Sequence, residues 1–125
     1  SIFDRETRMH AFLPFNLDDI VPEQDAPAPE KVIAGDPKFT TWLVETTDNE
    51  TLFSGVWEAT PGAWKISYDE WEFCSILTGR SVLTDKDGVT REIGPGDSFV
   101  LQPGFSGTWE VLETTRKLFV IRLPS

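Results

Sequence analysis

The chain has almost no histidine or cysteine: its 125 residues include one of each, His10 and Cys74. A single cysteine excludes an intrachain disulfide, so nothing in the sequence requires an oxidising compartment. A single histidine excludes any metal centre that takes several imidazoles from one chain. No imidazole is available to activate the thiol either, so we interpret Cys74 as a small apolar residue and not as a nucleophile.

Positive charge and long apolar runs are also scarce. Eleven basic residues stand against 21 acidic ones, which gives a net charge of −10 at pH 7. Nucleic acids and anionic membrane surfaces bind clustered Lys and Arg, so neither is expected as a partner. No apolar run approaches the roughly 20 residues of a membrane-spanning helix, and no signal-peptide pattern opens the chain, so we expect a cytoplasmic protein.

Helical periodicity is missing too, and short apolar runs separated by turn residues take its place. The turn signals are Pro61-Gly62, Asp87-Gly88, Pro95-Gly96 and Pro103-Gly104. The candidate strands span residues 40–45, 52–60, 63–68, 70–78, 80–84, 89–93, 98–101, 108–112 and 116–123. Strands at roughly ten-residue spacing predict an all-β sandwich or barrel.

Residues 1–36 are the least regular part of the chain, and we assign them to an N-terminal arm before a barrel of residues 37–125. Proline in the run PEQDAPAP disfavours helix and removes sheet donors, so the arm should be extended and loop-like, with one edge strand near residues 11–13. Its apolar residues predict packing along a sheet of the same chain or of a neighbour, and a floppy terminus is the alternative. These residues are Phe3, Phe12, Leu13, Phe15, Leu17 and Ile20.

Side chains alternate clearly in the central stretch, where Trp64, Ile66 and Tyr68 share one face of a strand. The same period points Glu70, Glu72, Cys74 and Ile76 into the barrel and Trp71, Phe73, Ser75 and Leu77 outward. It therefore predicts a carboxylate, Glu72, that faces an aromatic interior. A β-bulge near Asp69 is the alternative, because it would reverse every face and leave Glu72 on the surface.

Outward-facing Trp71 and Phe73 would form an apolar surface that needs a cover. Such a patch on a sheet usually marks an interface. We therefore expect a homodimer through this face, through the N-terminal arm, or through both; the alternative is that the arm of the same chain folds over the patch.

Two segments of the central region carry closely spaced carboxylate, proline and glycine residues. In WEFCSILTGR (residues 71–80), Glu72 and Gly79 are separated by FCSILT. In GPGDSFVLQPGFSGTW (residues 94–109), a Gly-Asp pair starts an apolar run that ends at a Gln-Pro-Gly turn. These segments resemble motifs one and two of the cupin family, and the resemblance implies a cupin-type double-stranded β-helix, or jelly-roll barrel.

The resemblance extends over about residues 32–123, through runs such as GVWEATPGAW and EVLETTRKLFVIR. The sequence of these runs is similar to that of small single-domain cupins of the (S)-ureidoglycine aminohydrolase cupin-domain family, which also resembles the ethanolamine-utilisation cupins. A fold shared by many proteins does not define a function, so the function must come from the site.

Metal-dependent cupins hold their ion through imidazoles and one carboxylate, and ureidoglycine aminohydrolase is a manganese enzyme of that kind. The resemblance places the motif-one histidines at Ile66 and Tyr68 and the motif-two histidine near Gly107. None of these is a histidine, so we expect no metal and no other cofactor. The alternative is an oxygen-only site for a hard cation, which prefers about six oxygen ligands. Its candidate ligands are Glu70, Glu72 and Gln102.

Glu72 is the candidate functional group. An apolar barrel raises the pKa of a carboxyl unless hydrogen bonds or a cation hold it ionised, so Glu72 and Tyr68 form a candidate catalytic pair for proton transfer. The predicted ligand-binding residues are Trp64, Ile66, Tyr68, Glu72, Cys74, Gln102 and Trp109. The alternative is structural: Glu72 accepts a hydrogen bond from a backbone amide or a Trp indole.

Three functions remain open from the sequence. The favoured one is a metal-free cupin that binds a small polar metabolite, such as a sugar or an amino-acid derivative. The second is an isomerase, epimerase or amidohydrolase-like enzyme that uses Glu72 and Tyr68. The third is a structural or partner-binding dimer with a filled barrel. A pocket that contains Glu72 would favour the first two.

Overall fold

The computed structural model of the chain describes residues 11–47 and 49–124. Their regular structure consists of nine β-strands and one short 3-10 turn at Pro29–Lys31, so the all-β prediction is confirmed. The strands are β1 (Glu23–Asp25), β2 (Val32–Gly35), β3 (Phe39–Thr46), β4 (Leu52–Ala59), β5 (Gly62–Ser67), β6 (Trp71–Asp85), β7 (Thr90–Ile93), β8 (Ser98–Leu101) and β9 (Ser106–Arg122). These two ranges contain no helix long and apolar enough to cross a membrane.

The two longest strands, β6 and β9, pair antiparallel along most of their length and join two halves of one curled sheet. Strands β4 and β5 pair with opposite halves of β9, and strands β8 and β7 pair with opposite halves of β6. Strands β3 and β1 extend the β4 half, and β2 extends the β5 half. One half therefore has the order β1-β3-β4-β9-β6-β8, the other has the order β2-β5-β9-β6-β7, and the core lies between them.

An irregularity at Gly79 separates the two halves of β6. Gly79 has a φ of +92°, and a Cβ atom there would lie 2.1 Å from the carbonyl oxygen of Thr114, so only glycine fits. The register of β6 against β9 shifts after Ile76. As a result, the buried face changes from even positions such as Cys74 to odd positions such as Leu83. The predicted strands 70–78 and 80–84 are therefore one bent strand.

The region predicted as an arm contains two strands of the sheet. Strand β1 lies within the run PEQDAPAP, which the sequence predicted to be loop-like, and it pairs with β3, while β2 pairs with β5. The edge strand predicted near residues 11–13 is absent. Phe12 in this segment is 82% exposed, so it gains no packing against a sheet, and the following Pro14 offers no N–H for pairing. Phe3 lies outside the described residues.

The core is formed by inward-facing side chains of both halves. They are Ala59, Trp64, Ile66, Ile76, Leu83, Ile93, Leu101, Trp109 and Val111. The alternation predicted for β5 is confirmed, because Trp64 and Ile66 are buried while Lys65 and Ser67 are exposed. Glu72 is 4% exposed, so the bulge near Asp69 that would have brought it to the surface does not occur.

Candidate functional site

A cavity of about 350 Å³ lies at the open side of the barrel, next to the segment between β1 and β2. This volume is at the lower end of the range of roughly 300–1,000 Å³ that is typical of small-molecule sites. Trp57, Trp64 and Tyr68 line it, together with the charged pair Glu72 and Lys117.

Aromatic rings form one wall of the cavity. The ring centroid of Phe39 lies 5.2 Å from that of Trp57 and 4.9 Å from that of Trp64. Behind them, Trp109 is the cross-strand partner of Trp64 and stacks on it, with centroids 6.3 Å apart and an angle of 8° between the rings. Trp109 also meets the Trp57 ring edge-on at 5.4 Å. Stacked and edge-on pairs each add about 0.5–1.5 kcal/mol beyond burial, so this wall is preorganised.

Lys117 brings a positive charge into the barrel beside Glu72. Its Nζ atom donates a hydrogen bond to Oε2 of Glu72 at 2.8 Å, and both side chains are 5% exposed. The strand register explains the meeting: Lys117 is the cross-strand partner of Trp57 on β4 and of Ile76 on β6, so it shares their inward face. Glu72 therefore faces the interior, as the sequence predicted, and a fixed cation that the sequence did not reveal lies beside it.

The Lys117 ammonium group is also enclosed by aromatic faces. Its Nζ atom lies 4.5 Å from the ring centroid of Trp57 and 4.6 Å from that of Trp109, and both distances fit cation–π contacts. Burial alone lowers the pKa of Lys117, but the Glu72 carboxylate reverses the direction and holds the pKa above its ordinary value. Lys117 is therefore protonated at neutral pH.

Burial holds two further groups of the site, Cys74 and Tyr68, in their neutral forms. Burial raises the pKa of Cys74 to about 12, although the charge of Lys117 opposes the shift. Burial likewise raises the pKa of Tyr68 above its ordinary range. The backbone of Tyr68 is held by the turn after β8: its N–H donates to the carbonyl oxygen of Phe105 at 2.9 Å, and its carbonyl oxygen accepts from the N–H of Gly104 at 2.7 Å.

The structure brings together some of the predicted site residues and separates others. Those that line the cavity are Trp64, Ile66, Tyr68 and Glu72, and the predicted metal-ligand candidate Glu70 lines it too. Cys74 and Trp109 are fully buried behind the cavity wall and do not line it. Gln102 is exposed in the turn after β8, where it lines a different trough, so the oxygen-only ligand set does not converge. His10 lies outside the described residues.

The residues at the metal positions of the motifs do not fit a metal ion. Ile66 on β5 is the cross-strand partner of Gly107 on β9, so these two positions do meet. Neither can bind a metal, because isoleucine has an apolar side chain and glycine has none. A Cβ atom at Gly107 would lie 1.9 Å from the carbonyl oxygen of Thr84, so a histidine has no room there. The carboxylate of Glu72 holds the Lys117 ammonium group instead. Within residues 11–47 and 49–124, no cluster of three His, Cys, Asp or Glu residues is arranged to hold a metal.

Sequence reasoning missed Lys117, although a signal was present. In the run from Trp109 to Ile121, the odd positions that include Val111 and Phe119 point inward, and Lys117 has the same parity. A lysine at such a position is normally interpreted as a surface residue or as the end of the strand. The inward face becomes evident only when Trp57 and Ile76 are placed opposite it.

A curled all-β sheet with an inward motif-one glutamate and a motif-two Pro-Gly turn defines the cupin class, and the predicted jelly-roll barrel is confirmed. More narrowly, the chain belongs to the EutQ-like cupin domain family, whose family model matches residues 46–119. No curated protein matches the sequence.

Solved structures share the fold at low sequence identity. A protein of unknown function from Pseudomonas syringae pv. tomato is 24% identical with a TM-score of 0.75; the alignment covers 84% of this chain and 45% of that protein. This chain thus spans less than half the length of that protein. A predicted oxalate decarboxylase from Thermotoga maritima is 18% identical with a TM-score of 0.71, over 90% of this chain and 100% of the other. A putative ethanolamine utilization protein Q from Salmonella typhimurium is 14% identical with a TM-score of 0.61, over 85% and 98% of the two chains.

Proposed function

We propose that the protein is a metal-independent cupin that binds a small polar molecule in the barrel cavity. The observation that carries this proposal is the Lys117–Glu72 ion pair on the surface of an aromatic-walled cavity. A buried ion pair is costly to desolvate and is weak evidence for a stabilising role. Convergent polar groups in a mostly apolar cavity are typical of a site that orients a ligand.

Binding is favoured over nucleophilic catalysis by the protonation states of the site. A thiolate, a phenolate or a neutral amine would be the nucleophile, and each of these is the minor form here. The pKa of Cys74 is raised to about 12, and the pKa values of Tyr68 and Lys117 are also raised. Proton transfer by Glu72 and Tyr68 has less support as well, because the carboxylate is already paired with an ammonium group. The open cavity likewise favours a binding role over a filled, purely structural barrel.

The ligand is accessible to a direct search. Thermal shift and tryptophan fluorescence of the purified protein should respond to pools of sugars, amino-acid derivatives or small organic acids, because Trp57 and Trp64 line the cavity. Tyr68→Phe, which removes one hydroxyl, should weaken the binding of a positive pool. Glu113→Gln alters an exposed carboxylate outside the cavity and should leave that binding unchanged. No response to any pool would count against a binding role.

The same assay tests metal independence. Dialysis of tag-free protein against a chelator should leave both the melting temperature and the ligand response unchanged, because Ile66, Tyr68 and Gly107 stand where imidazoles would be needed and Glu72 binds Lys117. A drop in melting temperature that Mn²⁺ reverses would contradict the proposal.

We also retain the homodimer as a proposal. Trp71 and Phe73 face outward but are partly buried, and Val100 on β8, the cross-strand partner of Phe73, is 38% exposed. In the N-terminal segment, Phe12 and Val21 are 82% and 90% exposed. Exposed apolar side chains of this kind are typical of a protein–protein interface, and we propose that the partner is a second copy of the chain.

Closer kinship with the ureidoglycine aminohydrolase cupin group and a cytoplasmic location also remain proposals. The proposed kinship rests on the sequence resemblance over residues 32–123. The second rests on the single, buried Cys74, which gains nothing from an oxidising compartment. Fractionation of the native host with an antibody to the protein tests the location.

A further inference from the structure

The charge around the cavity is opposite to that of the protein. The chain has five lysines in all and a net charge of −10. Three of these lysines, Lys31, Lys65 and Lys117, line this one cavity, against two carboxylates, Glu70 and Glu72. The lining therefore has a net charge of +1 within a strongly acidic molecule, and scattered surface charge gives no reason for that concentration.

The three lysines are placed at different depths. Lys117 is buried with its Nζ atom on Glu72, whereas Lys31 and Lys65 are exposed and so lie at the mouth. An ammonium group has three N–H donors. One donates to Glu72 at 2.8 Å and another has only the Cys74 sulfur, at 3.6 Å, so donor capacity remains for a ligand. Lysines at the mouth would attract an anion toward that donor.

The remaining lining sets the shape of the ligand. Trp57 and Trp64, whose rings meet at an angle of 60°, line the cavity with aromatic surface that suits a planar apolar body, and the neutral Tyr68 hydroxyl offers a second donor. A cavity of about 350 Å³ restricts the ligand to a small molecule.

We infer that the ligand of this cavity is a small monocarboxylate with a planar apolar body, whose carboxylate binds Lys117 and is attracted by Lys31 and Lys65. This inference rests on the proposed binding function and names the ligand class. It assigns the role that a metal cation would have in such a barrel to a lysine side chain. A cationic ligand is disfavoured because the Lys117 ammonium group already occupies the carboxylate and the Trp57 and Trp109 faces.

Three probes of equal shape and different charge test the inference by isothermal titration calorimetry at pH 7: benzoate, benzamide and benzamidinium. Benzoate should bind at least about tenfold more tightly than benzamide, and benzamidinium should bind least. Raising the salt concentration to about 0.5 M should weaken benzoate binding and leave benzamide binding unchanged, because only the first depends on the charges at the mouth.

Substitution of an exposed lysine at the mouth tests the same point without affecting the core. Lys65→Gln should lower benzoate affinity about two- to fivefold and leave benzamide affinity unchanged. Lys86→Gln is the matched control, because Lys86 is an exposed lysine in the turn between β6 and β7 that does not line the cavity, and it should change neither affinity.

The outcomes separate the ligand class from the binding function. The anion assignment is overturned if benzamide or benzamidinium binds as tightly as benzoate, or if Lys65→Gln has no effect on benzoate affinity. Either result leaves the proposed binding function standing. No binding of any probe also overturns the assignment. The proposed function itself fails only if the metabolite pools produce no response either.

Discussion

The Nζ atom of Lys117 lies 2.8 Å from Oε2 of Glu72 in the barrel interior, where each side chain is 5% exposed. The charges are joined across β6 and β9, and the rings of Trp57 and Trp109 cover the ammonium group at 4.5 and 4.6 Å. Desolvation of each ion costs several kcal/mol, which the Coulomb attraction, the hydrogen bond and the ring contacts together offset. The pair therefore stabilises the fold little in net terms, but either member alone would be a buried, unpaired charge.

A double-mutant cycle measures this dependence. Lys117→Met should lower the free energy of unfolding by about 3–5 kcal/mol, because it leaves the buried Glu72 charge without a partner. The double variant with Glu72→Gln should lose clearly less than the sum of the two single losses. Urea unfolding of the four proteins gives the coupling energy, and strictly additive losses would show that the pair is not coupled. Arg80→Met removes two surface ion pairs, with Glu92 and Glu113, and should have little effect.

Cys74 makes stability depend on alkaline pH. Its pKa is about 12 in the folded chain, compared with 9.0 for an ordinary cysteine, because burial disfavours the thiolate. Above pH 9 the unfolded chain therefore loses a proton that the folded chain keeps, so stability should fall as pH rises from about 9 to 12. Cys74→Ala should show a shallower decline in urea-unfolding free energy over this range. Equal slopes for the two proteins would contradict the burial of the thiol.

The same thiol should be chemically protected. A disulfide reagent such as DTNB should modify Cys74 in native protein at pH 8 only as fast as the chain unfolds, and immediately in concentrated urea. Rapid modification of the native protein would show that the wall behind the cavity opens.

Substitution of two glycines with the same φ can distinguish the cost of backbone strain from the cost of a steric clash. Gly79 and Gly96 both have a φ of +92°, but a Cβ atom at Gly79 would lie 2.1 Å from Thr114, whereas a Cβ atom at Gly96 meets nothing within 4 Å. Gly96→Ala should cost only the strain of the left-handed conformation, about 1–2 kcal/mol. Gly79→Ala should cost at least about twice as much, or prevent folding, because β6 and β9 must also separate. Equal losses in chemical unfolding would contradict the close crossing.

The outward-facing side chains of Trp71 and Phe73 predict a homodimer. Analytical ultracentrifugation of the unmodified protein should show the proposed dimer, and Trp71→Ala should shift it toward monomer, because the substitution removes apolar area from the proposed interface. Val89→Ala is the control, since Val89 is 47% exposed in the turn between β6 and β7 and lies outside this face. A dimer that Trp71→Ala leaves unchanged would assign the interface elsewhere.

Local pattern was sufficient for much of the fold. The Gly88, Gly96 and Gly104 turns all have positive φ, as the turn signals predict, because glycine tolerates that conformation best. The alternation that buries Trp64 and Ile66 also buries Glu72, since a strand has a period of two residues. Local pattern failed at Gly79, where the crossing with β9 reverses the inward face, and in the proline-rich run that pairs as β1.

The sequence by itself determined an all-β chain and the lack of imidazoles for a metal site, because these follow from residue type and from short apolar runs. Its period of two also predicted an inward-facing carboxylate at Glu72, which the burial of that residue confirmed. Only the tertiary structure decided what faces that carboxylate. Lys117 is 45 residues away in the chain and reaches Glu72 through the register of β6 against β9. Local propensity contains no information about that register, so the cation in the barrel and the charge of the cavity became visible only in three dimensions.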